Sequence, residues 1–436
     1  MRLSTSLRLN AQKGLVTPYD PTLTLSLQFA ARQAYVSNFG PLPTFTNATT
    51  TARTYVGSDG LLKTAGLNVP RIEFNPITRQ CLGLLIEEQR QNLTIRSDDF
   101  GNAAWSKTAI SVTSDNGVSP DGTTNADLLS ETAVSSGHSV LANTLPSITS
   151  GTVYTMSVFL KKGTGSTAPD WVILSFVTGG FGTVRAAFNV STGVFGGSTG
   201  SFTSSVKQYT NGWYRVAMTA TATATTGAGS MILYFSNNTN TFTPPTYLGQ
   251  TTSDIFIWGA QFEAGSFASS YIPTTTTSLV RSADVCSITG AAFTGFYNAN
   301  EGTMVCKYDR PSAASESHMT IDNGTSNERL VLQFSGITER FGQTNAGGGT
   351  SANLDAGFAG AINTRIGHAA RYKLNDFAFS CNGASVVTNT TLTVPNVNQL
   401  TIGNRLGGIY INGHIHTIQY FNAIKTNAQL QDLSTP

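Results

Sequence analysis

Apolar side chains recur at every second position through the middle of this chain, and that rhythm restricts it to sheet. In YTMSVFLKK, Tyr154, Met156, Val158 and Leu160 fall on one side. WYRVAMTATATAT sets Tyr214, Val216, Met218, Ala220, Ala222 and Ala224 against Thr219, Thr221, Thr223 and Thr225. DIFIWGAQFE predicts a shared face for Phe256, Trp258, Ala260 and Phe262. A strand shows its faces with a period of two, whereas a helix repeats near 3.6, and no helical period is sustained from about residue 100 to 275. Asp121-Gly122, Ser191-Thr192-Gly193 and Asn211-Gly212 divide the runs. Alternation, β-branched enrichment and regular turns together predict a half-buried antiparallel sandwich.

A second β-region follows residues 270–285, SYIPTTTTSLVRSADV, which read as a linker. Met304, Cys306 and Tyr308 alternate in GTMVCKYDR, and Leu330, Leu332 and Phe334 in RLVLQFSG. Phe377, Phe379 and Cys381 do so ahead of the hairpin turn Asn382-Gly383. The last residues predict a strand and then one short helix capped by Thr426 or Asn427. Residues 1–45 are an irregular prologue, punctuated by Pro18, Pro21, Pro41 and Pro43, with one strand in LTLSLQFAA. They hold too few apolar residues for a core of their own and are expected to pack on another chain. A chain of 436 residues outgrows a single core. The expected organisation is all-β: an N-terminal attachment segment over 1–45, a connector over 46–95, a first sandwich over 96–275 and a second over 285–436.

The connector is out of character. Charged residues make up 11% of the chain, where a typical domain has ~25%. Yet residues 63–99 hold Lys63, Arg71, Arg79, Arg90 and Arg96 together with Glu73, Glu87, Glu88, Asp98 and Asp99. The cluster flanks CLGLLIEE, too short and too glycine-broken for an independent helix; it reads as a strand through Leu82, Leu84 and Ile86. On a strand, Glu87 and Glu88 point to opposite faces. Three arrangements are open for these charges: pairing across the connector and the first sandwich, pairing between subunits, or a solvated face. Arg90 with Glu87 or Glu88 is the expected fixed pair.

A net charge of +2 leaves no basic field, so no nucleic-acid partner is expected. No apolar run reaches ~18 residues, and no apolar stretch resembling an export signal stands at the start; a soluble chain without membrane insertion is expected. Cys81, Cys286, Cys306 and Cys381 form no CxxC and are expected as free thiols buried in strands. There is no G-x-S-x-G, H-E-x-x-H or P-loop. No enzyme activity, catalytic residue, cofactor or bound metal is therefore assigned. Three weaker candidates remain. His414 and His416, at i and i+2, share a strand face and could hold a metal if a third ligand joined them. Asp121, Asn125 and Asp127 offer oxygens to calcium, although Asp121-Gly122 is explained by a turn, as is Asp322-Asn323-Gly324. Trp105, Trp171, Trp213 and Trp258 are candidates for sugar stacking; Trp213 and Trp258 lie in alternating runs and read as core.

Residues 53–93, RTYVGSDGLLKTAGLNVPRIEFNPITRQCLGLLIEEQRQNL, resemble a segment of tailed-bacteriophage structural proteins, especially tail fibres and related virion proteins. The similarity lies in an Arg- and Thr-rich strand, a Gly-Leu-Leu stretch, a Pro-Arg-aromatic stretch, and Leu-Gly-Leu-Leu-Ile-Glu with Arg-x-Asn-Leu; Thr54 stands where a small residue is usual. DDFGNAAWSKTAISVTSDNGVSPDGTTNADLLSET, YTMSVFLKKG, NGWYRVAMTAT and IWGAQFEAGSFASSYIPTT are similar to the jelly-roll, carbohydrate-binding-module-like domain of such proteins. LTIGNRLGGIYINGHIHTIQYFNAIKTNAQLQDL looks more loosely like a concanavalin A-like or laminin-G-like sandwich. The resemblance implies a virion structural protein assembled in the host cytoplasm, a tail fibre or spike component that adheres to host surface glycans. It also implies contact with other virion proteins through the N-terminal segment, and a homotrimer. In that trimer Arg71, Glu73, Arg79, Glu87, Glu88 and Arg90 exchange partners, while Leu82, Leu84, Leu85 and Ile86 supply most of the binding. A capsid-attached fibre or decoration protein, a polysaccharide depolymerase and a secreted bacterial adhesin are the alternatives.

Overall fold

The computed structural model describes residues 20–48, 52–143, 147–176, 178–226, 231–312 and 314–436. The chain divides into two compact units, each an antiparallel β-sandwich. One is continuous, Thr46–Asp284; the other is assembled from both flanks of it, Met1–Phe45 and Val285–Pro436. Among the described residues no helix is long and apolar enough to cross a membrane.

The continuous unit is a jelly-roll sandwich of two six-stranded sheets. One runs Ile110–Val118, Thr124–Glu131, Asp254–Ala264, Val153–Lys162, Tyr214–Thr221, Thr203–Gln208; the other Val194–Thr199, Arg185–Asn189, Trp171–Phe176, Met231–Phe235, Ser139–Ala142, Trp105–Thr108. Tyr154, Met156, Val158 and Leu160 meet Val216, Met218, Ala220 and Ala222 in the core between the sheets, as their alternation predicts. The strand through DIFIWGAQFE departs from its predicted face. Ile255, Ile257, Ala260 and Phe262 point into the core, while Phe256 and Trp258 turn to a second cluster with Phe159, Trp213 and Tyr271. The cause is a bulge, where pairing with the neighbouring strand slips between Ser157 and Phe159 opposite Gly259. Gly259 sits at φ 61°, and an added Cβ would lie 2.8 Å from the Phe159 ring. A bulge inserts one extra residue and so reverses the faces beyond it.

The connector is part of this unit. Its Val56 and Leu62 join the second cluster and roof the outer face of the first sheet. Arg71–Phe74 pairs with Cys81–Ile86, and Arg90–Asn92 pairs with Leu279–Arg281. Residues 270–285, expected as a linker, are therefore clamped: Tyr271, Ile272, Arg281 and Asp284 are all buried.

In the split unit one sheet runs Ser37–Phe39, Leu23–Gln28, Gly413–Phe421, Glu301–Asp309, Ile366–Lys373, Phe377–Cys381, Val387–Asn389. The facing sheet contains Thr350–Asp355, Glu339–Asn345, Glu328–Phe334, Glu316–Asp322, Gln399–Ile402 and Val285–Thr289. Residues 20–45 do not stand apart as a separate segment. Leu25 and Leu27 are fully buried, and their strand pairs with the final one, Leu27 opposite Ile418. The lone apolar strand of the prologue thus finds its core within the same chain; residues 1–19 lie outside the described residues. Asn382 and Gly383 both have positive φ, 50° and 74°, and the Ala384 amide closes their turn on the Cys381 carbonyl, but the next strand begins only at Val387, so the connection is longer than a two-residue hairpin. The terminal helix, Asn427–Ser434, is capped by Thr426, whose hydroxyl accepts from the Gln429 amide while the Gln429 side chain accepts from the Thr426 amide. Its Leu430 covers the outer face of the first sheet beside Val305, Ala369 and Phe421.

Candidate functional site

Most of the charge in the connector is spent inside the molecule. Arg53, Arg71, Arg281 and Asp284 have no exposed side-chain surface, and Glu87 has 5%. Asp284 binds Arg53 Nη2 at 3.1 Å through Oδ1 and Arg71 Nη2 through Oδ2. It also accepts from Asn47 Nδ2 and the Glu87 amide. Glu87 Oε2 lies 2.7 Å from Arg71 Nη1 and 2.8 Å from Arg281 Nη1, and its carboxylate accepts from the Ser270 amide and hydroxyl. Burial opposes ionisation of Glu87, but Arg281 and Arg71 outweigh it and hold the carboxyl well below the usual range. Glu88 leaves on the opposite face and pairs with Arg90 at 2.7 Å. The expected Arg90 pair therefore exists with Glu88, and the pairing runs across the connector and the first sandwich. Leu84, Leu85 and Ile86 are buried in the same chain, so they are not surface available to a trimer interface. Arg71 and Glu87 are likewise committed internally.

The weaker metal candidates resolve differently. His414 and His416 share a face, and Asp309 lies between them, Oδ1 2.8 Å from His414 Nδ1 and Oδ2 3.0 Å from His416 Nε2. Burial opposes the Asp309 charge, yet the two imidazoles bring its carboxyl well below the ordinary value. The third group that the sequence did not reveal comes from a neighbouring strand over a hundred positions upstream. Asp121 closes its own turn, accepting from the Ser119 hydroxyl and from the amide and hydroxyl of Thr123. Asp127 is buried and accepts from the Phe100 and Asp115 amides. Burial raises the Asp127 carboxyl, and the nearby charges of Asp115 and Asp99 raise it further. Asp322 accepts from the Gly324 amide at 2.7 Å, the turn its sequence predicts. All four cysteines are buried.

The tryptophans separate cleanly. Trp105, Trp213 and Trp258 are at most 3% exposed, and the indole N–H groups of Trp105 and Trp213 donate to the Arg96 and Val118 carbonyls. Trp171 alone is partly exposed. It lies on the outer face of the second sheet, because its neighbours Val172 and Leu174 point into the core. Pairing places Ile173 against Ala187 and Tyr234, and Ser175 against Arg185, on that same face. The Arg185 guanidinium lies 5.9 Å from the Tyr234 ring centre and its Nε donates to Ser175 Oγ at 3.2 Å. Asn240 is anchored beside Trp171 by the Gly197 amide, which donates to its Oδ1 at 2.6 Å. Gly196 makes this approach possible: a Cβ there would fall 2.6 Å from the indole Cζ3 and 2.0 Å from Asn240 Oδ1. The face thus combines two partly exposed aromatic rings with an arginine and an amide at their edges. Such rings suit the apolar C–H faces of sugars, and the donors suit hydroxyl or carboxylate oxygens. Trp171 stood out in the sequence only as one of four tryptophans; Tyr234, Arg185 and Asn240 had no signal of their own, since only the sheet order brings them together.

No protein-family model matches the chain, and no curated protein matches it. Solved structures with similar folds include the CBM40 of the Ruminococcus gnavus IT-sialidase bound to α2,3-sialyllactose, at 18% identity over 31% of this chain and 84% of that one, TM-score 0.28. Domain 4 of the arabinanase AbnA from Geobacillus stearothermophilus, in complex with arabinotriose, aligns at 10% identity over 35% and 73%, TM-score 0.31. Botulinum neurotoxin type C, whose cell entry depends on two ganglioside molecules, aligns at 11% identity over 35% and 39%, TM-score 0.26.

Proposed function

We propose that this chain is a non-enzymatic, glycan-binding structural protein of a tailed-phage virion, a tail-fibre or spike component assembled in the host cytoplasm as a homotrimer. The observation that carries the glycan part is the outer face of the jelly roll. Trp171 is kept out of the core, Gly196 is bare beneath it with Asn240 alongside, and Tyr234 and Arg185 lie further along the same face. The virion part is supported by the resemblance over residues 53–93, whose buried ion pairs make a stiff mount suited to a mechanical role. The test is binding of the full chain to purified host envelope glycan by calorimetry. Trp171→Ala weakens binding about tenfold or more, Arg185→Ala several-fold, and neither changes the melting temperature of the chain appreciably. Unchanged affinity in both variants overturns the assignment of this face. Release of reducing ends from the glycan overturns the non-enzymatic reading. Light scattering tests the trimer, and immunolabelling of virions tests the location.

A further inference from the structure

Between the sheets of the split unit lies a second polar cluster of a different kind. His318 and Glu339 come from one sheet, His368 and Tyr308 from the facing one, and none has exposed surface. The ligand atoms of His318, Glu339 and His368 all lie within 4.8 Å of one another. His368 Nε2 and Glu339 Oε2 are 3.1 Å apart, close to the spacing of about 3.4 Å that two ligands take at bonds of about 2.1 Å in a tetrahedral zinc site. The Tyr308 hydroxyl, 2.6 Å from the same oxygen, fixes the carboxylate, and the Tyr308 ring stacks on the His318 ring at 3.5 Å. Both ring nitrogens of His318 lack a hydrogen-bond partner, as does His368 Nδ1. Glu316 Oε2 is also unpartnered and stands 3.9 Å from His318 Nε2. Buried imidazole nitrogens without partners cost stability, and a cation held at the centre of this group removes that cost.

We infer that His318, His368 and Glu339 form a buried binding site for a divalent transition metal of the zinc class, with Glu316 as the second carboxylate that balances its charge beside Arg310. Two imidazoles with carboxylates favour such an ion over calcium or magnesium, which prefer all-oxygen shells. Its role is structural: it joins the two sheets across the sandwich, in a chain whose cysteines form no disulfide. Full burial means that the ion enters during folding.

The full chain is unfolded with chelator, refolded with or without zinc, desalted and assayed for metal. About one equivalent is expected per chain, with a higher melting temperature in the zinc-refolded sample. His318→Gln and Glu339→Gln lose that equivalent, and His414→Gln keeps it. Refolding with cobalt gives a visible d–d band that zinc abolishes and that His414→Gln retains. This reading uses only chains that keep the two histidines, so it decides the matter even if the core variants fail to fold. A wild-type chain that takes up no zinc and shows no cobalt band overturns the proposal. So does metal that stays in folded His318→Gln, or that leaves with His414→Gln.

Discussion

Each sandwich buries a polar cluster, and the two clusters are built in opposite ways. In the connector cluster of the continuous unit, arginines are buried with Asp284 and Glu87, and each of these two carboxylates is met by two guanidiniums. In the His318 cluster of the split unit, burial prevails over charge at two groups: it pushes the Glu316 carboxyl up to about 9 despite Arg310, and it drives the His318 imidazole well below its ordinary value. The first arrangement pairs both carboxylates from within the chain, although Nε of Arg71 and of Arg281 makes no hydrogen bond. The second leaves nitrogens and an oxygen unpartnered. A buried ion pair is a weak source of net stability, but removing one member leaves an uncompensated charge. The lesson is that the continuous unit is more vulnerable to loss of a single carboxylate, and the split unit more open to an added ligand.

The sharpest way to break this contrast is Asp284→Ala, which strands Arg53 and Arg71 in the interior. We expect a loss of about 3–5 kcal/mol in the denaturant transition of the continuous unit; a loss below about 1 kcal/mol would mean that the arginines are hydrated after all. Acid is the next lever. The Glu87 carboxyl is depressed in the folded state, so its contribution is complete above the unfolded value near 4.5 and is lost as pH falls toward the lower folded value. Unfolding free energy measured from pH 6 to pH 3 should drop more steeply in the wild type than in Glu87→Gln, and parallel curves would count against the ionic reading. In the split unit, Tyr308→Phe removes one donor to Glu339 while His368 and the Gly360 amide remain. A cost of about 1–2 kcal/mol is expected there by denaturant titration. The smallest effect belongs to Asp59→Asn, which breaks an exposed pair with Lys63 in the same charge-rich connector; about 0–0.5 kcal/mol is expected, and a larger value would show that exposure does not divide the segment as described.

The strands and both sandwiches were legible because alternation reports burial directly. Face reversal at Gly259 was not, because a bulge adds one residue without changing composition, and the run from Phe256 to Phe262 alternates just as well on either side of it. The density of charge at residues 63–99 marked the right segment. It could not show that Arg53, Arg281 and Asp284 complete the network, since those lie outside the cluster and are brought in by strand pairing. The candidate sugar face was visible only as one undecided tryptophan. The buried histidines were less visible still: His318 and His368 are separated by fifty positions and flanked by ordinary strand residues. His414 and His416 stood out by spacing, yet Asp309 already links that pair.

The pairing of Leu23–Gln28 with Gly413–Phe421 sets an order of events on the ribosome. Leu27 meets Ile418 only after nearly four hundred further residues have been added, which at about 5–20 residues per second takes about 20–80 s. The whole continuous unit can emerge and fold in that interval. Leu25 and Leu27 meanwhile belong to an apolar strand without its mate, open to chaperones and to the same strand of neighbouring nascent chains. A cell that translates this message on crowded polysomes therefore faces an aggregation risk at Leu23–Gln28 that is relieved only when Gly413–Phe421 has emerged.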